Sequence, residues 1–97
     1  MCKSEIFARL LQLVEQETEI SREQILSANK EAEVVDARYI LVDMLARAGF
    51  YPSRIAVLIR QSKRSVNYIL SNFPDRLKAG KMMRLQWDNI RKSTGNS

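Results

Sequence analysis

The residues with the most distinctive chemistry lie between Tyr51 and Phe73. Arg64 carries the forked donor set that matches guanine O6 and N7, and Asn67 the amide that pairs with adenine N6 and N7. They are three residues apart, so on a helix they share a face, with Lys63 beside Arg64 and Tyr68 beside Asn67. These four side chains are the expected base readers. Arg54, Arg60, Gln61, Ser62 and Ser65 flank them and, with Lys30, are the expected contacts to a phosphate backbone. The other chemistries find little material. The chain has no histidine and one cysteine, Cys2, which removes the usual Cys/His zinc site, histidine acid–base catalysis and any internal disulfide. Ala79-Gly80-Lys81-Met82 lacks the Ser or Thr and the first glycine of a phosphate loop. The expectation is a non-enzyme with no cofactor, no metal and no small-molecule substrate.

Charge is distributed in the same direction. The net charge is +5. Residues 1–50 hold six bases and nine acids, whereas residues 51–97 hold ten bases and two acids, Asp75 and Asp88. A basic half of a small domain suits a polyanion. No apolar run is long enough for a membrane span, no signal-peptide core opens the chain, and a lone cysteine suits a reducing cytoplasm. A DNA-binding chain of this kind is expected at the nucleoid.

The elements that must position these residues all read as helices. The 97-residue length suits one domain, here 1–92, with a flexible tail over 93–97. Ile6, Leu10, Leu13 and Val14 predict a helix over about Ser4–Gln16. Ser21 and Gln24 suggest a capping box opening a short helix through Leu26. Ser27–Lys30 reads as a loop. Val34, Ala37, Leu41, Met44, Leu45 and Ala48 share one face of a long helix over about Glu31–Ala48, widened by Ile40, with Gly49 just past its end. Pro52 suits the first turn of the next helix, which ends near Arg60. Gln61-Ser62 connects it to a helix from Lys63 to about Asn72, built on Val66, Ile69, Leu70 and Phe73 and expected to stop at Pro74. A last helix over Asp75–Lys92 should point Leu77, Met82 or Met83, Leu85 and Ile90 inward, with Gly80 a weak point and Trp87 a core or edge anchor. The architecture expected is all-α, a compact bundle of about six helices with a helix-turn-helix over 51–73.

The order of residues resembles a known family. Ile20-Ser21-Arg22-Glu23-Gln24-Ile25-Leu26-Ser27, Glu33-Val34-Val35-Asp36-Ala37-Arg38-Tyr39-Ile40 and Arg54-Ile55-Ala56-Val57-Leu58-Ile59 resemble successive segments of the C-terminal DNA-binding domain of the bacterial replication initiator DnaA. Gln61-Ser62-Lys63-Arg64-Ser65-Val66 occupies the place of that family's R-D-H-S-T-V signature, with Lys63 for the histidine and Ser62 for the aspartate. Ala28-Asn29-Lys30 stands for a basic loop that touches DNA backbone in the family. The resemblance implies a Trp-repressor-like helical fold and double-stranded DNA binding in replication or transcription-related regulation, by a stand-alone relative without the initiator's ATPase module. With these departures, initiator-box specificity is not among what the resemblance implies, and whether it is kept or lost stays open. Two rival readings remain. One is a protein-interaction module, drawing on the acidic first half with Glu15, Glu17 and Glu19, in which a protein partner replaces DNA; a second copy is instead expected as a companion on DNA, since a lone domain of this size makes few phosphate contacts. The other is binding of RNA or a single strand, for which Tyr68 is the one aromatic platform.

Overall fold

The central element is a helix buried on all sides. In the computed structural model, which describes residues 2–94, six helices follow one another: α1 (Lys3–Thr18), α2 (Arg22–Ile25), α3 (Ala32–Arg47), α4 (Pro52–Ile59), α5 (Lys63–Ala79) and α6 (Lys81–Ser93). There is no strand among the described residues. Every residue from Ala37 to Leu45 is buried, and α3 packs against each of the other five helices. That explains why its apolar face is wider than one stripe: a helix surrounded by neighbours buries side chains all round. Leu10, Leu11 and Val14 of α1, Ile55 and Ile59 of α4, Val66, Ile69 and Phe73 of α5, and Met83 and Ile90 of α6 close around it. The radius of gyration, 12.1 Å, is that of one compact domain, for which about 12.5 Å is typical at this length.

Two polar groups enter this core, and each is satisfied. Asp43 accepts from the Trp87 indole at 2.7 Å and from Arg47 at 2.8 Å. Trp87 is a half-buried anchor, its ring tilted against Phe73 with centroids 6.2 Å apart. Arg38, the second, gives its donors to the backbone carbonyls of Gln24, Ile25, Ser27 and Asn29.

Helix ends follow local chemistry. Gly49 takes φ 97°. Its N–H donates to Ala46, and the Phe50 N–H donates to Leu45, which together close α3 and return Phe50 to the core. At α2, Ser21 Oγ accepts from the Gln24 N–H at 3.3 Å. The Gln24 side-chain oxygen accepts the Ser21 hydroxyl at 3.4 Å rather than reaching the backbone.

Three expectations need correction. Pro74 does not stop α5, which runs on to Ala79. An interior proline costs about 3 kcal/mol, but the turns around it are held by buried Phe73, by packing of Leu77 against the core and by the 2.6 Å ion pair of Arg76 with Asp36 on α3. The break falls instead at extended Gly80 (φ −111°, ψ 109°), so the last helix starts at Lys81, not Asp75. Leu85, expected inward, is 56% exposed, as is Met82 at 66%. Met83, Trp87 and Ile90 define the inner face of α6, and at about 100° per residue Leu85 lies some two residues round from it. At the other end of the expected tail, Ser93 is helical and Thr94 caps α6. Residues 95–97 lie outside the described residues.

Candidate nucleic-acid interface

Local burial decides which side chains α4 and α5 present. Ile55, Ala56 and Ile59 face the core, which leaves Ser53, Arg54, Val57 and Arg60 outward. Three residues, Arg60 to Ser62, connect the two helices. Arg60 adopts a left-handed conformation (φ 61°, ψ 39°). Its N–H donates to Val57 at 3.4 Å, and the Gln61 N–H donates to Ala56 at 3.0 Å. This is the same closure that Gly49 gives α3, made here by a residue that must strain to adopt it. Ser62 then starts α5: its Oγ accepts from the Ser65 N–H at 3.0 Å and lies 3.2 Å from the Ser65 hydroxyl. The chain thus turns between an eight-residue helix and a 17-residue one, each with a satisfied end.

On α5, Val66, Ile69 and Phe73 are buried, while Lys63, Arg64, Asn67, Tyr68 and Ser71 are exposed. Tyr68 is 64% exposed, and Tyr51, at the start of α4, is 76% exposed. Among the described residues the ion pairs are Arg22–Glu15, Arg47–Asp43, Arg76–Asp36 and Arg91–Asp88. Lys30, Arg54, Arg60, Lys63 and Arg64 belong to none of them. From Tyr51 to Pro74 the sequence contains no acidic residue at all. Five unneutralised cations are therefore gathered on or beside α4 and α5.

The loop before α3 joins this surface. Gln61 Nε2 donates to the Ser27 carbonyl at 3.3 Å, tying the α4–α5 connection to that loop. Lys30, Gln61, Arg64, Ser65 and Tyr68 line one open cleft of about 470 Å³. Of the expected site residues, the structure thus brings these five together around the cleft. It sets Lys63 and Asn67 on the exposed side of the same helix, and Arg54 and Arg60 on α4 and its end. Gln61 and Ser62 are engaged within the protein as well as placed near the surface. Gln61 ties the loop, and Ser62 caps α5.

One organising residue was not among the expected ones. Arg38, 6% exposed, donates to four backbone carbonyls: Ile25 at 2.9 Å, Asn29 at 3.0 Å, Gln24 at 3.2 Å and Ser27 at 2.8 Å. It satisfies the carbonyl end of α2 and fixes the Ser27–Lys30 loop. Burial lowers the pKa of this guanidinium; no carboxylate pairs with it, so its charge remains uncompensated beside the cleft. The signal for it was an arginine at i+4 from Val34 and i−3 from Leu41, on an otherwise apolar face. Arg76 has the opposite character. It is held by Asp36 and lies over the Tyr39 ring at 5.0 Å, which withdraws it from the free cations.

This arrangement can bind an extended anion by its unpaired cations, and can offer Arg64 and Asn67 donors in a fixed relation along one helix face. Set against known proteins, the chain matches no protein-family model, no curated protein and no solved structure.

Proposed function

We propose that this protein binds double-stranded DNA, with α4 and α5 as a Trp-repressor-like helix-turn-helix and α5 as the helix that enters the major groove. The observation that carries the reading is the acid-free stretch from Tyr51 to Pro74, on which Arg54, Arg60, Lys63 and Arg64 stand exposed and unpaired. Crowding like charges without neutralisation disfavours the free protein, and a phosphate backbone relieves it. Arg64 and Asn67 read bases, assisted by Lys63 and Tyr68. Lys30, Arg54, Arg60 and the Ser65 hydroxyl hold phosphates, while Gln61 and Ser62 set the geometry from which they do so. The resemblance of these segments to the DNA-binding domain of the DnaA initiator supports the same reading.

The test is selection from a random duplex library. An enriched motif, lost or altered in Arg64→Ala and Asn67→Ala, is the expected result. Binding and preference unchanged in both variants would remove α5 from the reading role. No binding at low salt would remove DNA. The protein-partner alternative has one supporting observation, the exposed pair Met82 and Leu85 on α6. The glutamates that suggested it are largely engaged: Glu15 holds Arg22 at 2.8 Å, and Glu17 accepts from Asn89 at 2.9 Å.

A further inference from the structure

The cleft between the Ser27–Lys30 loop and α5 has a lining that a DNA backbone alone does not require. Its cations are Lys30, Arg38 and Arg64, and no Asp or Glu lines it. Its walls are apolar or aromatic, formed by Val35, Ile69, Tyr39 and Tyr68. We propose that this cleft binds a small aromatic phosphomonoester, of which a nucleoside monophosphate is the representative chemistry, and that the bound molecule competes with DNA for Arg64 and Tyr68. The binding rests on the cleft itself; the competition rests on the DNA reading above.

Four features fix the ligand class. The volume, about 470 Å³, lies in the range of small-molecule sites. Three cations without an acid suit a group carrying close to two charges, as a phosphomonoester does near neutral pH, better than a single carboxylate. Arg38 contributes most per charge, because the residue is 6% exposed and its guanidinium is bonded only to carbonyls, so little solvent screens it. Tyr39 is 7% exposed and lines the cleft; its hydroxyl bonds to no other group among the described residues and is not a buried orphan, so solvent reaches it. Burial, with Tyr68 second, pushes this phenol's pKa up, so it stays a proton donor. One face of its ring is occupied by Arg76. Tyr68, exposed on the opposite wall, is placed to stack on a base.

The experiment is an amide chemical-shift titration of the full chain with adenosine monophosphate, and separately with inorganic phosphate and with adenosine. Saturable shifts at Val35, Tyr39, Arg64 and Ile69, at least roughly tenfold tighter for the nucleotide than for either half, are expected. Tyr68→Ala, an exposed position that leaves the core intact, should weaken nucleotide binding by about tenfold as well. Phosphate binding as tightly as the nucleotide, or shifts spread over the whole basic face, would overturn the proposal. So would the same cleft shifts from a 5′-phosphorylated DNA end with none from the free nucleotide. The competition is read by adding the nucleotide to a DNA complex: release supports it, and joint occupancy overturns it. If the chain bound no DNA yet the nucleotide saturated the cleft, the DNA reading would fall and the ligand site would stand.

Discussion

The salt dependence expected of the proposed DNA binding follows from which cations are already partnered. Lys30, Arg54, Arg60, Lys63 and Arg64 take part in no ion pair, whereas Arg76 is held by Asp36 at 2.6 Å. If each of the five neutralises one phosphate, the slope of log affinity against log salt is about −4.5. Raising salt fourfold, from about 50 to about 200 mM, should then weaken binding roughly 500-fold. Fluorescence anisotropy on a labelled duplex measures this directly. Arg54→Ala should bring the slope to about −3.6, while Arg76→Ala should leave it unchanged, because its partner is within the protein. A wild-type slope shallower than about −2 would refute the count. Equal changes in the two variants would refute the distinction between paired and unpaired cations on which it depends.

Three further perturbations separate fold from function. Arg60→Gly removes a left-handed arginine (φ 61°); thermal unfolding should show a gain of about 0.5–1 kcal/mol while DNA affinity falls, and a loss of stability would mean that the arginine relieves its own strain. Arg38→Met leaves the carbonyls of Ile25 and Asn29 without a donor and takes one donor from those of Gln24 and Ser27; urea unfolding should register a cost of about 3 kcal/mol, and a cost below about 1 kcal/mol would show that water replaces the guanidinium freely. The Arg22 hydrogen bond holds the Glu15 carboxyl below its ordinary value of 4.5. Its stabilisation is therefore full above that value and lost as pH falls through the lower folded one. Wild type should exceed Glu15→Gln in urea midpoint at neutral pH and converge with it in acid, and a constant gap across the range would contradict the assignment.

Much of this fold was legible because local signals agreed with packing. Gly49 announced its left-handed turn, Ser62 its cap, and the spacing of Val66, Ile69 and Phe73 the buried side of α5. The errors share a cause. Reading Pro74 as a stop and Asp75 as a start shifted the phase of everything after it, which turned Leu85 inward. Nothing local reveals that Arg76 will find Asp36, 40 residues earlier, and hold the helix through the proline. Arg38 was hidden for a different reason: its partners are backbone carbonyls, which carry no residue identity. The basic surface was readable residue by residue, but the cleft was not, since it exists only where a loop before α3 meets the side of α5.

The Ser27 carbonyl accepts from both Arg38 and Gln61, and that shared acceptor governs how the surface meets its partner. That oxygen joins the loop to the helix connection, and Arg38 holds the same loop to α3 at Asn29 as well, so the interface is set before any encounter. Little backbone freedom remains to be surrendered on docking, and encounter should proceed as a rigid body. Its rate is then limited by how well charge orients two diffusing molecules rather than by rearrangement, with a single kinetic phase whose association constant drops with ionic strength. Loosening these bonds together would convert a fast, single-step encounter into one that waits for the loop.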